Sequence, residues 1–166
     1  MSERHLTHVQ LEGSNVPVVA DCDVVVIGAG PAGHSAAVSA ARNGCSVTLL
    51  ERYHHLGGMA SGGMVLVLDD MVNEGNEIVT TGVVDEFVER LEKQDAAVYP
   101  PREECQTNWD MWQKWSRWGC IDFHKAMMPQ PIIHAVAFDP DAWKRVSLDM
   151  VRESKVNLRT HSWFSD

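Results

Sequence analysis

Three glycines and a later acid are the residues whose types and spacing can do chemistry in this chain. Gly28, Gly30 and Gly33 satisfy GxGxxG, and Glu51 follows Gly33 by 18 residues. In that pattern the first glycine allows a tight turn, the second lets a pyrophosphate approach the backbone, and the third lets a helix pack closely on a strand. An acid at this distance can accept hydrogen bonds from both hydroxyls of an adenosine ribose, and it favours a free 2′-hydroxyl over a 2′-phosphate. The chemistry implied is dinucleotide binding. A phosphate-free βαβ unit that uses its glycines only for packing is the alternative.

Such residues need a strand, a helix and a second strand to position them, and the stretch from Asp23 to Glu51 supplies all three. Val24 to Ile27 is an unbroken β-branched run, which predicts a parallel strand buried on both faces. Pro31 suits a first helical turn, where a missing N–H costs nothing. Ala36, Ala37, Ala40 and Ala41 give the helix a face small enough to pack on a sheet. Asn43 and Gly44 stop it, and Ser46 to Leu50 begin a second apolar strand that ends on the acid. The fold expected is α/β, with a Rossmann-like βαβ unit and a parallel sheet.

The chain has 166 residues, 45% of them hydrophobic, enough for one core of about one domain. Its 23 acids outnumber 14 Lys and Arg, for a net charge of −9, and no basic patch offers a nucleic-acid surface. Cys22, Cys45, Cys105 and Cys120 show neither a CxxC nor paired metal spacing, so they read as reduced structural thiols. With no span of apolar residues long enough for a membrane and no signal-peptide core, a cytoplasmic location is expected. His5 and His8 in the leader find no third ligand, and no metal site is expected.

DVVVIGAGPAG, the helix of small residues, LLER and LGGMASGG together resemble the N-terminal part of the FAD-dependent oxidoreductases of the glutathione-reductase-like flavoprotein superfamily. That resemblance implies FAD as cofactor. It further implies that Gly28, Gly30, Pro31, Ala32 and Gly33 cradle the pyrophosphate, and that Glu51 binds the adenosine ribose. Arg52 would then flank the adenine, while Gly57, Gly58 and Met59 approach the cofactor along its ribityl stretch. The resemblance covers the front portion of the family's length. It implies an incomplete FAD-binding domain, without the usual C-terminal strands and most of the substrate domain. The expected organisation is a leader over 1–22, the βαβ unit and glycine loop over 23–68, a helical Trp-rich start of a substrate region over 69–138, and a helix and strand returning to the FAD sheet over 139–166.

Several residues keep two readings. His34, on the first helical turn, can sit near the phosphates, or face solvent or a neighbouring strand. His54 and His55 read as surface loop, in a region where some flavoproteins attach FAD through histidine. Val65 to Leu68 reads as a strand, and Asp69 to Thr81 as a loop. A helix capped by Thr80 or Thr81 should carry Val83, Val84, Phe87, Val88 and Leu91. Ile132 to Phe138 reads as a strand. Asp139-Pro140 opens a helix, and Lys155 to Trp163 reads as the sheet's third strand.

Trp109, Trp112, Trp115 and Trp118 recur every third residue, a step of about 300° on a helix, so they spread over roughly half its circumference. That much aromatic surface suggests an interface with a completing subunit or a second copy. A stacking platform is the sharper alternative, in which Lys114 and Arg117 meet an acidic or aromatic ligand. His124, His134 and His161 are isolated, and no catalytic acid or base is assigned. The function expected is that of a flavin-dependent oxidoreductase fragment or subunit holding the ADP part of FAD. A non-catalytic interaction subunit and an NAD-binding fragment are the alternatives.

Overall fold

The computed structural model describes residues 8–165. Within the leader, the expectation for His5 lies outside the described residues. From His8 onward the leader forms a hairpin, β1 (His8–Leu11) antiparallel to β2 (Ser14–Pro17). There follow β3 (Val24–Ile27), α1 (Pro31–Arg42), β4 (Val47–Leu50), β5 (Val67–Leu68), α2 (Val83–Glu92), β6 (Ala97–Val98), α3 (Trp109–Trp115), β7 (Val136–Phe138), α4 (Pro140–Glu153) and β8 (Asn157–Arg159). No helix among the described residues is long and apolar enough to cross a membrane.

Two sheets result. The first is parallel, in the order β3-β4-β8, with Val25 opposite Thr48 and Leu49 opposite Leu158. The second is antiparallel, in the order β5-β7-β6. The FAD-sheet strand expected over Lys155 to Trp163 is therefore present but short. Likewise β7 keeps only the end of the run from Ile132, while Ile132 itself bridges to Ile121.

Local chemistry explains the helix starts. Asp139 caps α4, its carboxylate accepting from the N–H of Asp141 at 2.7 Å and of Ala142 at 2.8 Å. For α2 neither threonine is the cap. Gly82 is, because its N–H donates to the Asp85 carboxylate at 2.8 Å. An acid three residues into the helix satisfies this donor and fixes the start.

Helices α1, α2 and α4 cover one face of the parallel sheet. Val38, Leu49, Phe87, Trp143, Val146 and Met150 are buried there together, and the Trp143 ring lies 4.3 Å from both Phe87 and Phe138. The prediction of a first strand buried on both faces is corrected here. Val24 and Val26 pack on the core, but Val25 is 55% and Ile27 54% exposed. The β-branched run fixed a strand; it could not report that helices lie on only one side. Strand β4, which is central, is buried throughout from Val47 to Leu49, and Thr48 Oγ1 accepts from the Asn157 amide at 3.2 Å.

A chain of ion pairs joins the helices at the surface: Arg42 to Glu86 at 2.5 Å, Arg90 to Glu86 at 2.7 Å, and Arg90 to Glu153 at 2.6 Å. Arg42, and then Arg90, hold the Glu86 carboxyl down to about 2. All four side chains keep solvent contact, so screening limits what the pairs contribute. Arg90→Ala should lower stability by only about 1 kcal/mol, less in high salt, as read from denaturant midpoints at two ionic strengths.

The tryptophans divide. Asn108 caps α3 by accepting from Met111 N–H at 2.9 Å, and the chain then tightens into a 3₁₀ turn over Ser116–Trp118. Trp115 is buried in a second small core with Cys120, Ile121 and Ile132, its indole N–H donating to Glu104 at 2.7 Å. Trp112 is half-buried and donates to Gln130 at 2.7 Å. Trp109 and Trp118 remain exposed.

Candidate functional site

At the carboxyl ends of β3, β4 and β8 the chain leaves the sheet in three loops, and these loops enclose a cleft of about 410 Å³. The β3 loop is the glycine turn. Gly28 has φ +92°, a conformation costly for any residue with a Cβ, and its N–H donates to Leu50 C=O at 2.8 Å, tying the turn to β4. Gly30 is the N-cap of α1. Having no side chain, it leaves the first-turn N–H groups without a side-chain cap, and no acid occupies that turn. An uncapped, acid-free helix start aims its dipole and free donors at an anion.

Glu51 directly follows β4 and is buried, yet it lines the cleft. One carboxylate oxygen accepts from Ala29 N–H at 2.8 Å and the other from Tyr53 N–H at 2.9 Å. Each oxygen retains a lone pair for a ribose hydroxyl. Its backbone N–H donates to Arg159 C=O at 2.8 Å, and its C=O accepts from Ser162 N–H at 3.0 Å. The acid is thus locked between the β3 turn and the β8 loop.

The second glycine loop closes the floor. Gly57 N–H donates to Ala29 C=O at 2.8 Å, and a Cβ on Gly58 would lie 3.0 Å from Gly30 Cα. The two glycine loops touch backbone to backbone. Arg52 lies over the Tyr53 ring at 4.6 Å and over the Trp163 ring at 5.5 Å, giving the cleft one flat, cationic, aromatic end.

Of the residues picked out from sequence, Gly28, Gly30, Glu51, Arg52 and Gly58 line this cleft. Gly33 stands behind it, packed on Gly28. Pro31 and Ala32 are exposed at the helix start, and Met59 is exposed on the short 3₁₀ turn Gly58–Ala60. Gly57 is buried at φ +111°, where a Cβ would meet Ser61 Oγ at 2.6 Å and Trp143 Cδ1 at 2.7 Å, so its missing side chain makes room for the core. His34 matches neither expectation: it is buried between α2 and α4, edge-on to Phe87 at 5.5 Å. His55 shares a contact with Ser61 Oγ at 3.2 Å and stacks on Tyr53. No metal-holding group of three ligands occurs among the described residues.

Sequence reading missed Ser162, Trp163 and Phe164, which wall the cleft from the β8 side. The signal was available, because parallel strands bring all their C-terminal loops to one edge.

The family model for FAD dependent oxidoreductases matches residues 23–166. The chain belongs to that family. FAD is accordingly its cofactor, and the uncapped start of α1, the glycine contact and the doubly anchored Glu51 fit the group. Among curated proteins, 38 residues are 58% identical to "Uncharacterized protein in nifH2 5′region" of Methanosarcina barkeri, covering 23% of this chain and 20% of that one. Over a stretch of the same length, identity is 50% to the soluble pyridine nucleotide transhydrogenase of Salmonella typhi, again 23% of this chain but 8% of that protein. The match therefore spans a fifth or less of those relatives. Similar solved structures include THI4 of Thermovibrio ammonificans (19% identity, TM-score 0.44, 84% of this chain and 38% of that one). NikD, an unusual amino acid oxidase, is another (14%, 0.49, 84% and 43%).

Proposed function

We propose that this member of the FAD dependent oxidoreductase family uses the cleft at Gly28, Gly30 and Glu51 to hold the ADP part of FAD, within the glutathione-reductase-like superfamily. The observation that carries the reading is the meeting of an uncapped, acid-free helix start with a buried carboxylate that keeps lone pairs toward the same cleft. First-turn amides, Ala32 and Gly33 among them, would hold the diphosphate, Glu51 the ribose, and Arg52 with Trp163 the adenine face. Bound FAD supplies hydride or electron transfer; the protein supplies binding, orientation and electrostatics. Residues 23–68 and 139–166 would form the FAD-binding part, with 69–138 beginning a substrate region. A completing subunit, or a second copy, is part of the reading, supported by the open face at Val25 and Ile27. Four free thiols support a cytoplasmic setting.

Gly30→Val tests it. A Cβ at Gly30 has 4.0 Å to its nearest neighbour, Gly58 Cα, so the fold tolerates it, while a branched side chain fills the space a diphosphate needs. FAD affinity should fall on the order of tenfold or more with the melting temperature unchanged, read from visible absorbance and a thermal scan. Unchanged flavin binding would refute the assignment. The exposed Trp109 favours a second reading, an interaction module that docks through Trp109 to Trp118. Its assembly would depend on Trp109 and ignore Gly30.

A further inference from the structure

A second cavity lies elsewhere. It is a groove of about 600 Å³ on the antiparallel sheet, within the roughly 300–1,000 Å³ of small-molecule sites. Its residues are disjoint from those of the nucleotide cleft. Val67 of β5, Ala137 of β7 and Val98 of β6 form the floor, and Trp118 with Arg117 forms the opposite wall. Gly119 packs this wall on the sheet: a Cβ there would lie 3.4 Å from Val67 Cγ1. An exposed indole and three apolar strand residues thus line one groove.

The charges on the wall are unequal in their commitments. Of the two cations interleaved with the tryptophans, Lys114 is held by both oxygens of Glu104, at 2.8 and 2.6 Å. Arg117 has no ion pair or hydrogen bond among the described residues, and its guanidinium lies 5.4 Å over the Trp118 ring. Asp139 also lines the groove, its Oδ1 committed to capping α4. Asp95 lines it too and forms no ion pair with Arg117. A stacked guanidinium is a planar fork matched to one carboxylate, with the indole beside it for an apolar body. Asp95 disfavours a second negative charge.

We propose that this groove is a ligand site for an organic monocarboxylate with an aromatic or branched aliphatic body. Arg117 is its counter-ion, Trp118 its stacking surface, and Val67, Val98 and Ala137 its apolar bed. The site does not depend on the nucleotide assignment.

The test is calorimetric titration of the full chain, supplied with FAD, with phenylacetate, 3-methylbutyrate, benzyl alcohol and benzylamine. Both carboxylates should bind saturably below roughly 10 mM, a threshold set by weak small-ligand affinities. Phenylacetate should bind more tightly than the alcohol or the amine. Arg117→Gln should weaken phenylacetate on the order of tenfold, and Trp118→Ala should weaken it severalfold; both side chains are exposed, so neither change endangers the fold. Gly30→Val should leave phenylacetate binding intact, which separates failure here from failure of the nucleotide reading. Absence of saturation by either carboxylate overturns the proposal. So does preference for benzylamine, or affinity indifferent to Arg117→Gln.

Discussion

Gly33→Ala should melt roughly 10 °C below the parent, equivalent to about 3 kcal/mol for a chain of this size. Helix propensity alone argues the opposite sign, since alanine in a helix is favoured over glycine by about 1 kcal/mol. Packing decides. A Cβ at Gly33 would lie 1.9 Å from Gly28 C=O oxygen, 3.1 Å from its carbonyl carbon and 3.3 Å from Val26 Cγ1. Non-bonded heavy atoms settle near 3.5 Å. The obstructing oxygen is backbone, and Gly28 is tied to Leu50, so no rotamer change relieves the clash. Only lifting α1 off β3 can, which opens the core at Ala37 and Val38. Gly30→Ala is the control, with ordinary clearance and no expected loss of stability. Thermal scans of the two variants without added FAD would decide; a Gly33→Ala protein as stable as its parent would show that the turn does not pack as described.

Much of this site was legible because its determinants are local. Glycine spacing, a β-branched run, Asp139-Pro140 and an acid after the second strand each act over a few residues, and the corresponding elements formed where expected. What stayed hidden depends on partners distant in the chain. Val25 and Ile27 look identical to their neighbours in sequence, and only the placement of three helices on one face distinguishes them. Gly57 reads as a glycine that makes room for a ligand, whereas the room is taken by Trp143 from α4. Trp163 seemed to continue a strand that ends at Arg159. The tryptophan run had a period but no environment. Glu104 and Gln130, which engage two of the indoles, carry no periodic signal.

His34 is the other residue whose partners were invisible, and it should give the fold a distinct acid sensitivity. Its ring is buried beside Phe87, and its Nε2 has no hydrogen-bond partner among the described residues; nor does the Ser147 Oγ. Burial is the main cause that lowers its pKa from 6.5 to about 4. The Ser147 backbone on α4 and Glu86 on α2 favour the cation, and Arg42 on α1 opposes it, without reversing the effect of desolvation. The unfolded chain therefore binds a proton between those two values that the folded chain refuses. Stability should be complete above about pH 6.5 and fall by about 3 kcal/mol as pH drops to 4, where the penalty levels off. Glu86 works over a lower range: its depressed carboxyl contributes stability lost only as pH falls from 4.5 toward about 2. The two effects separate along the pH axis. His34→Leu removes the buried titration and the unpartnered nitrogen together. Denaturant midpoints of this variant should fall much less than the parent's between pH 6.5 and 4.5, the remaining slope coming from His134, whose pKa burial also lowers, and should equal or exceed the parent's at pH 7. An acid slope that survives the substitution undiminished would place its origin in another group.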